Sequence, residues 1–241
     1  MTHRNTLCIL SLTALAFAAA CSSKDNTTAP TPQTARVRVV NLDPSSANAG
    51  LYANGNLVGS NVGFGAAAQS CIDVPIGQSL SFRAAGSSTD IGANTNAGLQ
   101  AGQNYTIVLY RQGTTAQSAV LNDNTITTPG TGNNSLRFFN ASGTAGDIFV
   151  TAPGATVSGT PSSSNLGAYS STSGTNMWTS YPTANTQIRM YNVGTTTGTP
   201  RVNTNFTSTN LSASRVGTAF LTESNMTGTT TNASVVAAPC S

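Results

Sequence analysis

The stretch RVRVV, residues 36–40, alternates arginine with valine. Alternation with a period of two is the pattern of a β-strand that has one apolar and one polar face. The runs LSFRA (residues 80–84) and NYTIVLY (residues 104–110) show the same period, and turn signals such as ANG and PIG separate such runs at intervals of roughly 8 to 12 residues. The pattern predicts an all-β fold of packed sheets. In NYTIVLY, the period of two places Tyr105, Ile107 and Leu109 on the same side of the strand.

The composition argues against helices and against a nucleic-acid partner. The chain has 241 residues, of which 7% are charged, and a net charge of +3. Lys24 and Glu223 are its only lysine and glutamate, and Gly or Pro interrupts almost every window beyond the first twenty residues, so helices are not expected there. The arginines are scattered along the chain, whereas nucleic-acid binding needs a concentrated basic face.

The N-terminal segment MTHRNTLCILSLTALAFAAAC has a short basic start, an apolar stretch and small residues before a cysteine. This pattern predicts a signal peptide over residues 1–20. Its ending, AFAAAC, resembles the lipobox of bacterial lipoproteins, in which the cysteine is acylated and becomes the new N-terminus. The resemblance implies lipidation of Cys21 and attachment to a membrane through its acyl chains. The alternative is ordinary secretory cleavage, which leaves Cys21 as a free thiol.

The residues after the cysteine are polar and contain proline, as expected of a flexible tether over residues 21–34. Ser22 and Ser23 follow the cysteine, and neither is the aspartate that resembles the inner-membrane retention signal of enterobacterial lipoproteins. The predicted location is therefore the bacterial outer membrane, and the sequence leaves open whether the protein faces the periplasm or the cell surface.

The rest of the chain contains an internal repeat. VRVVN (residues 37–41) matches LRFFN (residues 136–140), and four further pairs of segments follow in the same order. This order predicts a duplication, with a first β-sandwich over residues 35–124, a linker over residues 125–134 and a second β-sandwich over residues 135–241. The four further pairs are GLYANG with DIFVTA, SNVG with SNLG, LSFRAAG with IRMYNVG, and LQAGQNYT with LSASRVGT.

These motifs also carry a family resemblance. ARVRVVNLDPSSANAGLYANG, SNVGFG and LQAGQNYTIVLY resemble domain-of-unknown-function family 4397, and LRFFNASGTAGDIFVTAPGA is similar to the same opening motif. The resemblance implies two tandem immunoglobulin-like or transthyretin-like β-sandwich domains after the lipidated tether. It implies no agreed activity.

The residues that commonly carry catalysis or bind metals are scarce. His3 is the only histidine and leaves with the signal peptide, which excludes a Ser-His-Asp or Cys-His arrangement and a histidine zinc site in the mature chain. The run NDN (residues 122–124) lacks the rhythm of a calcium loop and predicts a turn. No cofactor, metal site or enzymatic activity is expected. The spacing of the acidic residues selects no catalytic pair among Asp43, Asp73, Asp90, Asp123, Asp147 and Glu223.

Two cysteines and two aromatic residues remain as candidate site residues. Cys8 leaves with the signal peptide and Cys21 is assigned to lipid, so Cys71 and Cys240 are predicted to form a disulfide in an oxidising compartment. Free or intermolecular thiols are the alternative. Trp178 and Tyr181 are candidate binding aromatics if they are exposed, and the alternative is that Trp178 or its neighbour fills the second core.

The expected function is that of a lipid-anchored cell-envelope protein whose non-catalytic β-sandwich domains serve binding, adhesion or envelope structure. Its partner would be an envelope protein or a glycan. Two alternatives remain at this point. One is an envelope hydrolase that uses acidic residues, and the other is an assembly or carrier protein that acts through an exposed strand edge.

Overall fold

The computed structural model describes residues 33–92, 98–173, 177–223 and 234–240. The predicted signal peptide, Cys21 and the tether up to residue 32 lie outside the described part. The first half contains these strands: β1 (Thr34–Leu42), β2 (Asn48–Ala53), β3 (Asn56–Leu57), β4 (Val62–Gly63), β5 (Ala66–Ala67), β6 (Ile72–Pro75), β7 (Leu80–Ala84), β8 (Asn104–Gln112) and β9 (Thr115–Asn122).

The second half is built in the same way and contains a 3-10 turn at Ser208–Asn210. Among the described residues, no helix is long and apolar enough to cross a membrane. The strands of the second half are β10 (Asn133–Asn140), β11 (Gly146–Thr151), β12 (Ser163–Leu166), β13 (Ser170–Ser171), β14 (Thr179–Pro182), β15 (Gln187–Asn192), β16 (Val202–Asn205), β17 (Val216–Leu221) and β18 (Val235–Ala237).

Each half has an inner and an outer sheet, so the predicted all-β fold is confirmed. The first inner sheet has the order β5-β1-β8-β9 with β6 also paired to β1, and the first outer sheet has the order β3-β2-β4 with β7 paired to β2. The second inner sheet has the order β13-β10-β17-β18 with β14 also paired to β10, and the second outer sheet has the order β12-β11-β15-β16. In both inner sheets the first strand is parallel to its long neighbour, β8 or β17.

A hydrophobic core lies between the inner and outer sheet of each half. In the first core, alternate residues of the long strands point inward, and the predicted inward face of β8 is confirmed. The second core is formed by the same kind of alternation in β10, β15 and β17. The fully buried residues include Val37, Leu51, Phe82, Ile107 and Leu109 in the first core and Leu136, Phe138, Ile148, Ile188 and Met190 in the second.

A third apolar cluster, which we call the central layer, lies between the two inner sheets. It consists of Val40, Leu42, Val108, Tyr110, Leu121, Phe139, Ala141, Phe220 and Ala237. The expectation of a polar face on residues 36–40 is therefore only partly correct. Arg36 is exposed, but Arg38 is half-buried and Val40 is completely buried, because the second half covers the later part of this face.

The connection between the two halves runs from residue 123 to residue 132, between β9 and β10. Strand β10 begins at Asn133, so the last two residues assigned to the linker belong to a strand. The described residues of both halves form one compact unit. A Tyr110–Phe139 contact in the central layer, with ring centroids 5.7 Å apart, is one of the contacts that join the halves.

A buried asparagine ends the first strand of the first half. Asn41 is 0% exposed, and its Nδ2 donates hydrogen bonds to the carbonyl oxygens of Ser46, at 2.9 Å, and Val62, at 3.0 Å. Its Oδ1 accepts a hydrogen bond from the backbone N–H of Asp43 at 3.0 Å. The side chain thus provides hydrogen bonds to backbone groups at the point where the chain turns away from the sheet and strand pairing ends.

Asn140 does the same at the end of the first strand of the second half, and it is also 0% exposed. Its Nδ2 donates to the carbonyl oxygens of Thr144, at 3.0 Å, and Leu166, at 3.2 Å. Its Oδ1 accepts from the backbone N–H of Ser142 at 3.0 Å. Buried amides held by three or more hydrogen bonds fix the turn geometry in both halves.

Candidate functional site at the central layer

A buried ion pair joins the two halves at one end of the central layer. Arg137 on β10 and Asp123, the residue after β9, approach to 2.5 Å between Nη2 and Oδ1, and their side chains are 2% and 0% exposed. Arg137 also donates from Nε, at 3.1 Å, and Nη2, at 2.9 Å, to Oγ1 of Thr218 on the neighbouring strand. Its Nη1 donates to the carbonyl oxygen of Asn122 at 2.7 Å.

The carboxylate of Asp123 also has protein partners for both of its oxygens. Its Oδ2 accepts hydrogen bonds from Oγ1 of Thr106, at 2.7 Å, and from the backbone N–H of Cys240, at 3.3 Å. Burial lowers the pKa of the Arg137 guanidinium, and the charge of Asp123 and its hydrogen bond oppose that shift. Because protein groups hold both partners, the pair connects the two halves and leaves no position for a substrate.

The predicted disulfide between Cys71 and Cys240 is confirmed, with an Sγ–Sγ distance of 2.09 Å. Cys71 directly precedes β6 at the edge of the first inner sheet, and Cys240 follows β18 of the second. The bridge therefore links the two halves covalently, as expected from the sequence.

The two candidate binding aromatics do not form an exposed pair. Trp178 is half-buried, and the guanidinium carbon of Arg137 lies 4.8 Å from the centroid of its ring. Tyr181 is 6% exposed in the second core, edge-on to Phe138 at 6.2 Å, and burial raises its pKa to about 12. Tyr181 is thus not available to stack on a ligand, because its position on β14 faces inward.

The other candidate carboxylates are mostly bound to arginines or to backbone N–H groups. Asp147 accepts from the backbone N–H groups of Asn165 and Gly194, each at 2.7 Å. Asp73 is exposed on β6. The arginine pairs are Asp43 with Arg111, Asp90 with Arg83, and Glu223 with Arg201.

The run NDN forms the turn that its sequence predicted. Oδ1 of Asn122 accepts a hydrogen bond from the backbone N–H of Asn124 at 2.8 Å. Oδ1 of Asn124 in turn accepts from the backbone N–H of Asn104 at 2.8 Å. Side-chain hydrogen bonds of this kind mimic a backbone turn, and they place Asp123 opposite Arg137.

An open polar groove of about 340 Å³ lies at another edge of the central layer. Its walls are residues 65–69 around β5 and residues 235–238 around β18, together with Thr209 and Asn210. Arg38 is the only charged residue among the described residues that line it. Sequence reasoning placed Arg38 on a solvent-facing strand surface and missed the groove. No pattern in the sequence indicated the groove, because its walls are distant segments of the chain around β5 and β18.

Comparison with known proteins supplies a family likeness for part of the chain. No curated protein sequence matches the chain. The matching family model covers the whole first half and continues through β10 and β11 of the second. Over residues 35–151, the chain is therefore similar to the family described as Domain of unknown function (DUF4397).

Proposed function

We propose that this protein is a lipid-anchored bacterial cell-envelope protein in which two copies of one β-sandwich domain form a rigid, non-catalytic module for binding or envelope structure. The observation that carries the proposal is the Cys71–Cys240 disulfide between the halves. Structural disulfides of this kind belong to oxidising compartments outside the cytoplasm, where a chain with a signal peptide and an acylated Cys21 would fold. The proposed domains are of the immunoglobulin-like or transthyretin-like kind.

Strand register supports the duplication. Arg38 lies opposite Thr106 in the parallel pair β1–β8, and Arg137 lies opposite Thr218 in the parallel pair β10–β17. These are the same residues that the sequence repeat aligns. The outer sheets also agree with the repeat, because Leu51 pairs with Phe82 and the aligned residues Ile148 and Met190 pair with each other. The carbonyl oxygens bound by Asn41 and Asn140 belong to the aligned residues Val62 and Leu166.

The contacts between the halves support a rigid module. Apolar residues of both inner sheets share the central layer, the Arg137–Asp123 pair is buried, and the disulfide adds a covalent link. Interfaces that are large, apolar and cross-linked restrict the relative motion of neighbouring domains. The two copies would therefore be presented to a partner in one fixed arrangement.

The occupied carboxylates favour a binding or structural role over a hydrolase. Asp43, Asp123 and Glu223 are each engaged by an arginine, and a general acid or base needs a carboxyl group that can exchange protons with a substrate. The mature chain would have no histidine to take that role.

Anchoring is tested by growing producing cells with labelled palmitate. The protein is expected to carry the label, and Cys21→Ser is expected to lose it, because the substitution removes the cysteine that is acylated in the proposal. Cys8→Ser is the matched control, since Cys8 leaves with the signal peptide, and it should be labelled like the wild type. Label on the Cys21→Ser protein would contradict the proposal.

A further inference from the structure

The two halves treat equivalent arginines differently. Arg38 and Arg137 occupy the same position on β1 and β10, opposite Thr106 and Thr218 respectively. The guanidinium of Arg137 is neutralised by Asp123 from the other half. Arg38 forms no ion pair with any residue that the structure describes.

Strand register explains why Arg38 lacks a carboxylate. Thr106 pairs with Leu121 on β9, and Asp123 follows Leu121 by two residues. Thr218 pairs with Ala237 on β18, and the residue two positions further is Pro239. Proline has neither a carboxylate nor an N–H group. The second half therefore has no residue at this position that could form an ion pair with Arg38, as Asp123 does with Arg137.

The hydrogen bonds of Arg38 leave one edge of its guanidinium unused. Its Nη1 donates to the carbonyl oxygens of Ala68, at 2.5 Å, and Gln69, at 3.3 Å. Its Nε is buried without a hydrogen-bond partner, and its Nη2 has none among the described residues. A buried donor without a partner is costly, and such groups in folded proteins are commonly satisfied by water or a ligand.

This same edge binds carboxylates elsewhere in the chain. Arg111 holds Asp43 through Nε, at 2.6 Å, and Nη2, at 2.9 Å. Arg201 holds Glu223 through Nε, at 2.5 Å, and Nη2, at 2.8 Å. Two parallel N–H donors match the two oxygens of a carboxylate. Burial lowers the pKa of Arg38 in spite of the charge of Asp123, so an additional anion would relieve an uncompensated charge.

The groove lined by Arg38 has the size and chemistry of a site for a small polar molecule. Its volume of about 340 Å³ is at the lower end of the range for small-molecule sites, about 300–1,000 Å³. Arg38 provides a single positive charge, which suits a monoanion better than a phosphate dianion. The side chains of Thr209, Asn210 and Gln69, with the strand backbones, supply uncharged hydrogen-bonding groups around it.

We propose that this groove binds a small polyhydroxylated monocarboxylate of the sugar-acid class, with its carboxylate on Arg38 and its hydroxyl groups toward the uncharged polar wall. The carboxylate contacts Nη2, because Nη1 is bound to the carbonyl oxygens of Ala68 and Gln69 and Nε is buried. The proposal adds a ligand to the binding role proposed above and does not depend on the lipid anchor.

The test is an NMR titration of the isotopically labelled full chain in detergent with three probes: D-galacturonate, D-galactose and inorganic phosphate. Galacturonate is expected to shift the amide signals of residues 65–69 and 235–238 in a saturable manner. Galactose, which lacks the carboxylate, and phosphate, which lacks the sugar hydroxyls, are expected to bind at least about tenfold more weakly. Binding of galactose or phosphate as tight as that of galacturonate would overturn the proposal, as would the absence of a saturable response to galacturonate.

Two variants and one control locate the site. Arg38→Gln should weaken galacturonate binding by about tenfold or more, since the charge-assisted contact is lost. Asn210→Asp keeps the Oδ1 that accepts from Thr207 and adds a negative charge to the groove, so it should weaken binding even if Arg38→Gln folds poorly. Arg36→Gln, on the same strand but outside the groove, should bind like the wild type. Equal binding by the Arg38 and Asn210 variants and the wild type would contradict the assignment. Because these results do not involve Cys21, failure here is distinct from failure of the anchoring proposal.

Discussion

Arg137 and Asp123 form a 2.5 Å ion pair between the two halves of the chain, and neither side chain is more than 2% exposed. The pair is embedded in hydrogen bonds to Thr106 and Thr218, which lie on the two inner sheets. The loss of one partner of such a pair leaves the other charge buried without compensation.

Removing one partner of this pair should therefore strongly destabilise the protein. Asp123→Asn is expected to lower the free energy of unfolding by about 3–5 kcal/mol, because the charge of Arg137 stays buried without compensation. Urea unfolding measures the change. Asp73→Asn removes an exposed carboxylate and should change stability by less than about 0.5 kcal/mol. Similar losses in the two variants would show that the ion pair does not hold the halves together.

The buried asparagines should be equivalent in the two halves. Asn41→Ala and Asn140→Ala are each expected to cost about 2–4 kcal/mol, since each leaves buried carbonyl groups without donors. Asn56→Ala, at an exposed position of β3, serves as the control for both in the same unfolding assay. A large loss at one site and none at the other would weaken the duplication proposal.

Gly146 should not tolerate a side chain. A Cβ at this position would lie 2.6 Å from Cγ of Met190 and 2.9 Å from the backbone oxygen of Tyr191, so Gly146→Ala must displace the neighbouring strand β15. The expected loss is about 1–3 kcal/mol. Gly130→Ala is the matched control, because nothing lies within 4 Å of its Cβ position. A Gly146→Ala protein as stable as this control would contradict the close packing of β11 on β15.

The buried Tyr181 predicts a loss of stability at high pH. The unfolded chain releases this proton near pH 10, whereas burial raises the pKa in the folded chain to about 12. Between these values the unfolded state binds fewer protons, so stability is fully present below about pH 10 and decreases as the pH rises toward 12. The contribution is about 2–3 kcal/mol at most. It is measured as the difference between wild type and Tyr181→Phe in urea unfolding at pH 8 and pH 11. An unchanged difference would show that the phenol is not buried.

Sequence alternation predicted the two cores but not the central layer. Residues 36–40 and 104–110 show which side chains point toward the outer sheets, and the structure agrees for Val37, Ile107 and Leu109. Their opposite faces are covered by residues about one hundred positions further along the chain, such as Phe139 and Phe220. A local period carries no information about such contacts, so the alternation predicts a solvent-facing position for Arg38, which is in fact half-buried.

Of the candidate site residues, the disulfide cysteines could be predicted, because the other two cysteines of the chain had separate assignments. The Cys71–Cys240 bridge followed from assigning the other two cysteines to the signal peptide and the lipid. Tyr181 could not be placed in the same way, because an isolated aromatic residue looks the same in sequence whether it is buried or exposed. The groove depends on how two edge strands, β5 and β18, approach each other, and neither strand is longer than three residues.

The most direct test of the proposed function is mass spectrometry of the protein isolated from its native membranes, analysed without reduction. We expect the N-terminal peptide to begin at Cys21 and to carry the mass of acyl chains, and we expect Cys71 and Cys240 to occur in one disulfide-linked peptide. A mature N-terminus at another residue, or an unmodified Cys21, would contradict the lipid anchor. Free thiols on Cys71 and Cys240 would contradict the covalent link between the two halves.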